Sequence, residues 1–204
     1  MFTIETAADG SPFLEVADRP GLLVPEVAVR PLRHGEAGPV EEVFAGLSAY
    51  SRQMRFLAGV PVLTDSMQQL LTDVDHDRHG CWVVTVAGEP VALGRYVRLE
   101  DPPHVAEIAL EVVDRYQARG LGRLLRDVVA AAAADAGITS FYWMMDAAND
   151  PVRNLAVPLG GAFLVEDGVL EGTTPLPAVD PIDAARVARV ARAARRGTAV
   201  RTAA

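Results

Sequence analysis

The sequence contains no lysine; all 19 basic residues are arginine, and the abundance of alanine beside them is that of a GC-rich coding sequence. A single cysteine, Cys81, excludes an internal disulfide. The first ten residues carry Glu5 and Asp9 and no basic cluster, so they do not read as a secretory signal. Together these features point to a reducing, cytoplasmic setting. No apolar run, the longest being 128–134, approaches the ~20 residues that a membrane-spanning helix needs. The net charge of −8 speaks against a nucleic-acid binder, because phosphate contacts need clustered cations.

What is present is the material of a globular domain. Half of the 204 residues are hydrophobic and 23% are charged, enough for one core of ordinary size. Residues 1–25 hold Pro12, Pro20, Pro25, Gly10 and Gly21 without a sustained period and read as an irregular leader. Residues 26–176 read as the main domain and 177–204 as an Ala/Arg-rich tail, with a solvated helix or a disordered end expected there. Residues 175–204 hold two acids against six arginines, from Arg186 to Arg201; spread so widely, they make a poor nucleic-acid arm.

Within the main domain, 27–33 alternates as a strand, and Val40, Val43, Phe44 and Leu47 mark an amphipathic helix over 36–47. Helical pieces follow at 48–57 and 66–71. A hairpin pairs 81–87 with 91–99 through Gly88-Glu89-Pro90, and 104–113 reads as a central strand. A long helix over 121–136, a strand over 140–145, a short helix over 150–159 and a closing hairpin complete a mixed α/β pattern with one βαβ unit.

The most informative stretch is Gln117-Ala118-Arg119-Gly120-Leu121-Gly122-Arg123, between the central strand and the long helix. Glycines at a helix start let the backbone approach a ligand, and the first turn offers unpaired N–H donors and partial positive charge, to which Arg119 and Arg123 add full charges. A glycine turn of purely structural purpose has the same form. A P-loop is excluded, since no Gly-Lys-Ser/Thr is present, and the dinucleotide fingerprint is excluded by Leu125 at its third glycine position.

This stretch resembles the Gln/Arg-x-x-Gly-x-Gly/Ala signature of the GNAT superfamily of acyl-CoA-dependent N-acetyltransferases. Ser48-Ala49-Tyr50-Ser51-Arg52, Arg55-Phe56, residues 72–77, Gly94-Arg95-Tyr96-Val97 and Ala106-Glu107-Ile108-Ala109 are similar to the GNAT domain of bacterial Pat-type protein lysine acetyltransferases. The resemblance implies a mixed, mostly antiparallel sheet splayed between its fourth and fifth strands, here 104–113 and 140–145, with flanking helices. Acetyl-CoA would lie in the opening as cosubstrate. Its pantetheine arm would pair with backbone near Leu110 and Val112, and the turn from Gln117 to Arg123 would bind its pyrophosphate. Asn149 matches an asparagine that in many relatives contacts the pantetheine.

The acceptor implied is an amine, a protein lysine before a small amine. A protonated amine needs a base before it can attack a thioester. Glu107 is the candidate, because its apolar surroundings over 105–110 desolvate a carboxylate and because it matches the glutamate of the Pat-type Ala-Glu. The competing reading pairs it with Arg95 or Arg98 across the sheet. Glu111 is second choice and would share its face. Where many relatives place a tyrosine as general acid, this chain has Ala156 and Val157, which leaves that role unfilled and opens the alternative of a non-catalytic acyl-CoA-binding module. Tyr50, Arg52 and Tyr96 border the acceptor side or simply pack. Asp73, Asp75, His76, His79 and Cys81 invite a metal, but arginine and valine stand where a calcium loop needs glycine and glutamate, and a zinc site would lack a fourth ligand, so no metal is expected. Nothing in the sequence sets the oligomeric state.

Overall fold

The two most continuous buried strands, β4 (His79–Val86) and β5 (Glu89–Arg98), form the central hairpin and carry apolar side chains on both faces, which demands cover on both sides. On one side lies α4 (Leu121–Asp135), whose alanines 130–133 are all buried. Small side chains let the helix approach closely, and Gly94 on β5 completes the fit: a Cβ there would lie 2.9 Å from Val129 and 3.0 Å from Leu125. The other face is covered by α1 (Gly38–Ala45) and α3 (Asp65–Thr72), over a smaller core of Leu32, Val40, Val43, Val74, Cys81, Val83 and Leu93. Ser48 caps the short α2 (Ala49–Phe56) between them, accepting from the Ser51 N–H.

The computed structural model describes the backbone of residues 1–202 and side chains through residue 198, so the side chain of Arg201 lies outside the described residues. The sheet has nine strands in the order β1-β2-β3-β4-β5-β6-β7-β9-β8. These comprise β1 (Phe2–Thr6), β2 (Pro12–Val16), β3 (Val27–Pro31), β6 (Val105–Val112), β7 (Ser140–Asp146), β8 (Ala162–Glu166) and β9 (Val169–Pro175) with the central pair. Every pairing is antiparallel except β6 with β7. That parallel ladder runs only from Val105↔Ser140 to Glu107↔Tyr142. Beyond it β6 stays with β5 as far as Val112, and β7 stays with β9 as far as Asp146, so the two strands part. The opening expected between the fourth and fifth strands of the family pattern is this fork.

The two chain ends depart from the sequence reading. The leader is a β-hairpin, not an irregular segment: β1 pairs β2 from Phe2↔Val16 to Thr6↔Pro12, and Phe2 and Leu14 are fully buried. The strands are five residues each and are interrupted by Glu5, Pro12 and Glu15, so their period is weak until β3 and the last helix supply the surface they pack on. That helix, α6 (Pro181–Thr202), is packed rather than solvated. Val187, Val190 and Ala191 are buried in the main core, Asp183 accepts from the Phe2 N–H at 3.0 Å, and Asp135 on α4 takes both Arg192 and Arg195. Arginine repeated at three- and four-residue spacing leaves an apolar face on the same helix, and that face decides its position.

Candidate active site

From the end of β6 the chain makes one 3-10 turn (Asp114–Tyr116), then the glycine turn, then α4. Ala118 and Gly120 take left-handed backbone angles, φ +57° and +87°, which curl the turn so that successive N–H groups point outward. Among the described residues, the N–H groups from Ala118 through Arg123 have no protein acceptor. The side chain of Gln117 secures the turn, donating to Val112 O at 3.1 Å, Asp114 at 3.2 Å and Ser51 at 3.3 Å. Arg119 lies against the Tyr116 ring, Arg123 is exposed, and Leu121 is buried, so only its backbone faces the turn. The two glycines differ. A Cβ on Gly120 would sit 2.2 Å from Gly21 O, so this glycine admits the leader, whose Leu23 N–H donates to Arg119 O. Gly122 meets only Leu155, at 3.3 Å, and borders the cleft.

The edge of β6 that faces the fork is set by hydrogen-bond alternation. Because the Val113 N–H donates to Val91 O, the backbone groups of Leu110 and Val112 turn the other way, into the opening. The Val112 carbonyl is taken by Gln117. Asn149 caps α5 (Asp150–Ala156), accepting from the Val152 N–H at 3.3 Å, and is buried at the opposite wall.

These elements enclose a cleft of about 590 Å³ that runs from the glycine turn past Tyr50 and Ser51 to Leu110 and Asn149. A second, of about 240 Å³, continues on the far side of the fork and contains Glu107, Phe56, Leu57 and Met144. Met54, Arg55, Leu110, Asn149 and Val152 line both and mark where the two join. A separate hollow of about 410 Å³, between α6 and the end of β3, includes no part of the turn or of β6.

The two glutamates of β6 share a face but not an environment. Glu111 is 2% exposed and is taken by Arg55 at 3.0 Å and Arg95 at 3.7 Å. Glu107 has no ion pair or side-chain hydrogen bond among the described residues, and Arg98 is spent on Asp77 and on the carbonyls of Pro103 and Ala136. The alternative pairing of Glu107 with Arg95 or Arg98 is therefore not formed. Across the fork from Glu107 stands Tyr142, whose hydroxyl donates to Glu171 at 2.6 Å. Burial, the Glu171 hydrogen bond and the charges of Glu171 and Glu107 push the phenol up to about 12.

Other candidates scatter. Tyr50 lines the larger cleft. Arg52 is structural, donating to Pro61 O and Phe44 O over the Phe44 ring, and Tyr96 is buried with its hydroxyl on His76 O. Phe141, Trp143 and Met145 are core, while Met144 reaches the second cleft. In the 73–81 loop, Asp75 accepts from the backbone of Asp77, Arg78 and His79. Burial works against its charge, but those donors hold it below the ordinary carboxylate range. Burial, and then the Arg95 guanidinium, push His79 down to about 4.

Residues 47–160, which hold both the turn and the fork, match the family model for acetyltransferase (GNAT) family. The chain belongs to the GNAT acetyltransferase family. It is 30% identical over 162 residues to acetyltransferase Pat of Mycolicibacterium smegmatis, 76% of this chain and 47% of that protein, so it spans about half the length of that relative. It is 28% identical over 138 residues to acetyltransferase PA5475 of Pseudomonas aeruginosa, 66% of this chain and 74% of that one. The GNAT domain of S. lividans PAT superposes with a TM-score of 0.69 at 25% identity, over 86% of this chain and 97% of that chain. GNAT acetyltransferases use acetyl-CoA as acyl donor, and no helix among the described residues is long and apolar enough to cross a membrane.

Proposed function

We propose that this GNAT protein transfers an acetyl group from acetyl-CoA to an amine, with a protein lysine the favoured acceptor and Glu107 the base. The observation that carries the reading is the contrast between the two glutamates of β6: the one at the acceptor half of the cleft is free of cations, and the other is neutralised. Glu111 is occupied by two guanidiniums and buried, whereas Glu107 lines the second cleft with its carboxylate unpaired and within reach of an incoming amine.

The acyl donor fits the larger cleft. The N–H groups from Ala118 to Arg123, with the charges of Arg119 and Arg123, suit its pyrophosphate. The edge groups of Leu110 and Val112 suit the pantetheine amides, and Asn149 lies opposite. Acetyl-CoA supplies the activated acyl group; the chain supplies the rest. Glu107 accepts the proton of the attacking amine, and the walls from Met54 to Leu57 and Trp143 to Met145 shield the exchange from water.

Two features favour a lysine. The second cleft is flanked by Glu107 and, beyond Tyr142, Glu171, with Arg55 only at its junction with the larger cleft and paired there to Glu111, and Met144 is 43% exposed on the same face. A long aliphatic side chain ending in a charge matches that combination. Ala156 and Val157, where a general-acid tyrosine is common, favour the second reading, a module that binds acyl-CoA without turnover. Thiol release from acetyl-CoA over lysine peptides, proteins and small amines separates them: turnover with a lysine peptide supports the proposal, turnover with small amines alone moves the acceptor class, and binding without turnover on any acceptor supports the module.

A further inference from the structure

The two clefts meet at Met54, Arg55, Leu110, Asn149 and Val152, and only one of these side chains is ionisable. Arg55 projects from α2, is 18% exposed, and uses Nε on Glu111 while its guanidinium lies 4.9 Å from the Phe56 ring centre. Its Nη1 and Nη2 make no hydrogen bond among the described residues. Beneath it Arg95, 4% exposed, brings Nη2 to 3.7 Å from the same Glu111 oxygen, and its Nε and Nη2 are buried without a hydrogen bond. Two guanidiniums against one carboxylate leave a positive charge in excess at the junction. The other charged groups near it do not cancel this: Glu107 lies four residues back along β6, Arg123 and Asp150 stand at the outer rim of the larger cleft, and Cys81, fully buried on β4 opposite Arg95, is held neutral by burial.

We infer that Arg55 is the group that stabilises the departing thiolate of coenzyme A. The inference rests on the acyl-CoA reading above and adds a residue to it. An acetyl thioester reaching from one cleft toward an amine in the other has its sulfur at their junction. The ammonium loses one proton through Glu107 to solvent, the neutral nitrogen forms the new C–N bond, the C–S bond breaks with its electron pair on sulfur, and the second N–H proton passes to Glu107. Arginine cannot give up a proton in water, so its part is electrostatic: the sulfur leaves as an anion beside a fixed cation, and no acid at the Ala156 or Val157 position is needed. Glu111 and Arg95 act through Arg55, the first orienting its fork and the second preventing its neutralisation.

The test is the binding of coenzyme A and of desulfo-coenzyme A, which lacks the sulfur, measured calorimetrically from pH 7 to 10 for the parent, Arg55→Gln and Arg55→Lys. A free thiol of pKa about 8.5 is lowered by roughly 1–3 units beside an opposite charge. The parent should therefore come to prefer coenzyme A over the desulfo compound by about tenfold or more as the thiol ionises. Arg55→Gln should hold that ratio within about twofold, and Arg55→Lys should keep part of it. A protein group that titrates in this range moves both ligands alike and leaves the ratio unchanged. A flat ratio in the parent, or the same rise in Arg55→Gln, overturns the assignment and leaves the cofactor reading standing. Failure of the parent to bind either compound overturns both.

Discussion

Gly122 and Gly120 stand two residues apart in the same turn and both line the cleft, yet their substitution should have opposite effects on the unliganded protein, because Gly120 is also packed against the leader. In Gly122→Asp the new side chain meets only the tip of Leu155, and a carboxylate in the first turn of α4 interacts favourably with the helix N-terminus, worth about 0.3–1 kcal/mol. The unliganded variant should be as stable as the parent or slightly more so. The same carboxylate occupies the N–H groups assigned to pyrophosphate and repels it. Acetyl-CoA at one hundred times its Kd stabilises a protein that binds it by about 2.7 kcal/mol. For a chain of this size that raises Tm by roughly 5–10 °C. Gly122→Asp should abolish this rise. Gly120→Ala should instead destabilise the unliganded protein by about 2 kcal/mol or more, through a left-handed φ and a clash with Gly21 O. Urea denaturation gives the first quantity and thermal shift with acetyl-CoA the second. A full thermal shift in a folded Gly122→Asp protein would place the pyrophosphate elsewhere and refute the reasoning.

Leu14→Ala should cost about 2–5 kcal/mol in urea denaturation, as a fully buried leucine does, whereas a loose leader would give a change within about 0.5 kcal/mol. His79 makes stability pH-dependent: burial pushes it down to about 4, below the 6.5 of an ordinary histidine, so its contribution is intact above pH 6.5 and is lost as pH falls toward 4. The loss is about 2–3 kcal/mol, and His79→Gln should show a shallower fall between pH 7 and 4.5; an equal fall would assign the acid sensitivity to other groups. With no lysine in the chain and Cys81 buried, prolonged incubation with acetyl-CoA should add at most one acetyl group, at the N-terminus, by intact mass; labels at several sites would contradict amine-selective chemistry.

The sequence was most readable where a local pattern coincided with a global role. The glycine turn, the alanine-rich α4 and the central hairpin announce themselves through spacing and composition that no tertiary contact needs to supply. The chain ends were illegible for the opposite reason. Phe2 and Leu14 become core only because α6 lies over them, and α6 is placed by three small apolar residues hidden among arginines. Within the site, spacing identified both glutamates of β6 but could not apportion the arginines, since the choice between Glu107 and Glu111 is made by α2, which brings Arg55 from more than fifty positions away. Arg55 itself was quoted only as part of a motif; its place at the junction follows from where α2 crosses the fork. Gly120 lines the cleft and also approaches Gly21, a contact with the leader that no local pattern announces.

In the proposed reaction everything turns on Glu107 taking a proton from the acceptor amine. Glutamine at this position keeps the shape, and no arginine is left without its partner, since Glu107 has none. The decisive measurement is kcat/KM of Glu107→Gln with acetyl-CoA and a lysine peptide at neutral pH, with acetyl-CoA binding confirmed by thermal shift. Acetyl-CoA binding should be unchanged and the rate lower by ~10²–10⁴-fold, the usual contribution of a general base, with the deficit shrinking at higher pH as more of the amine is already neutral. A rate within about threefold of the parent, far from that range, would contradict that role.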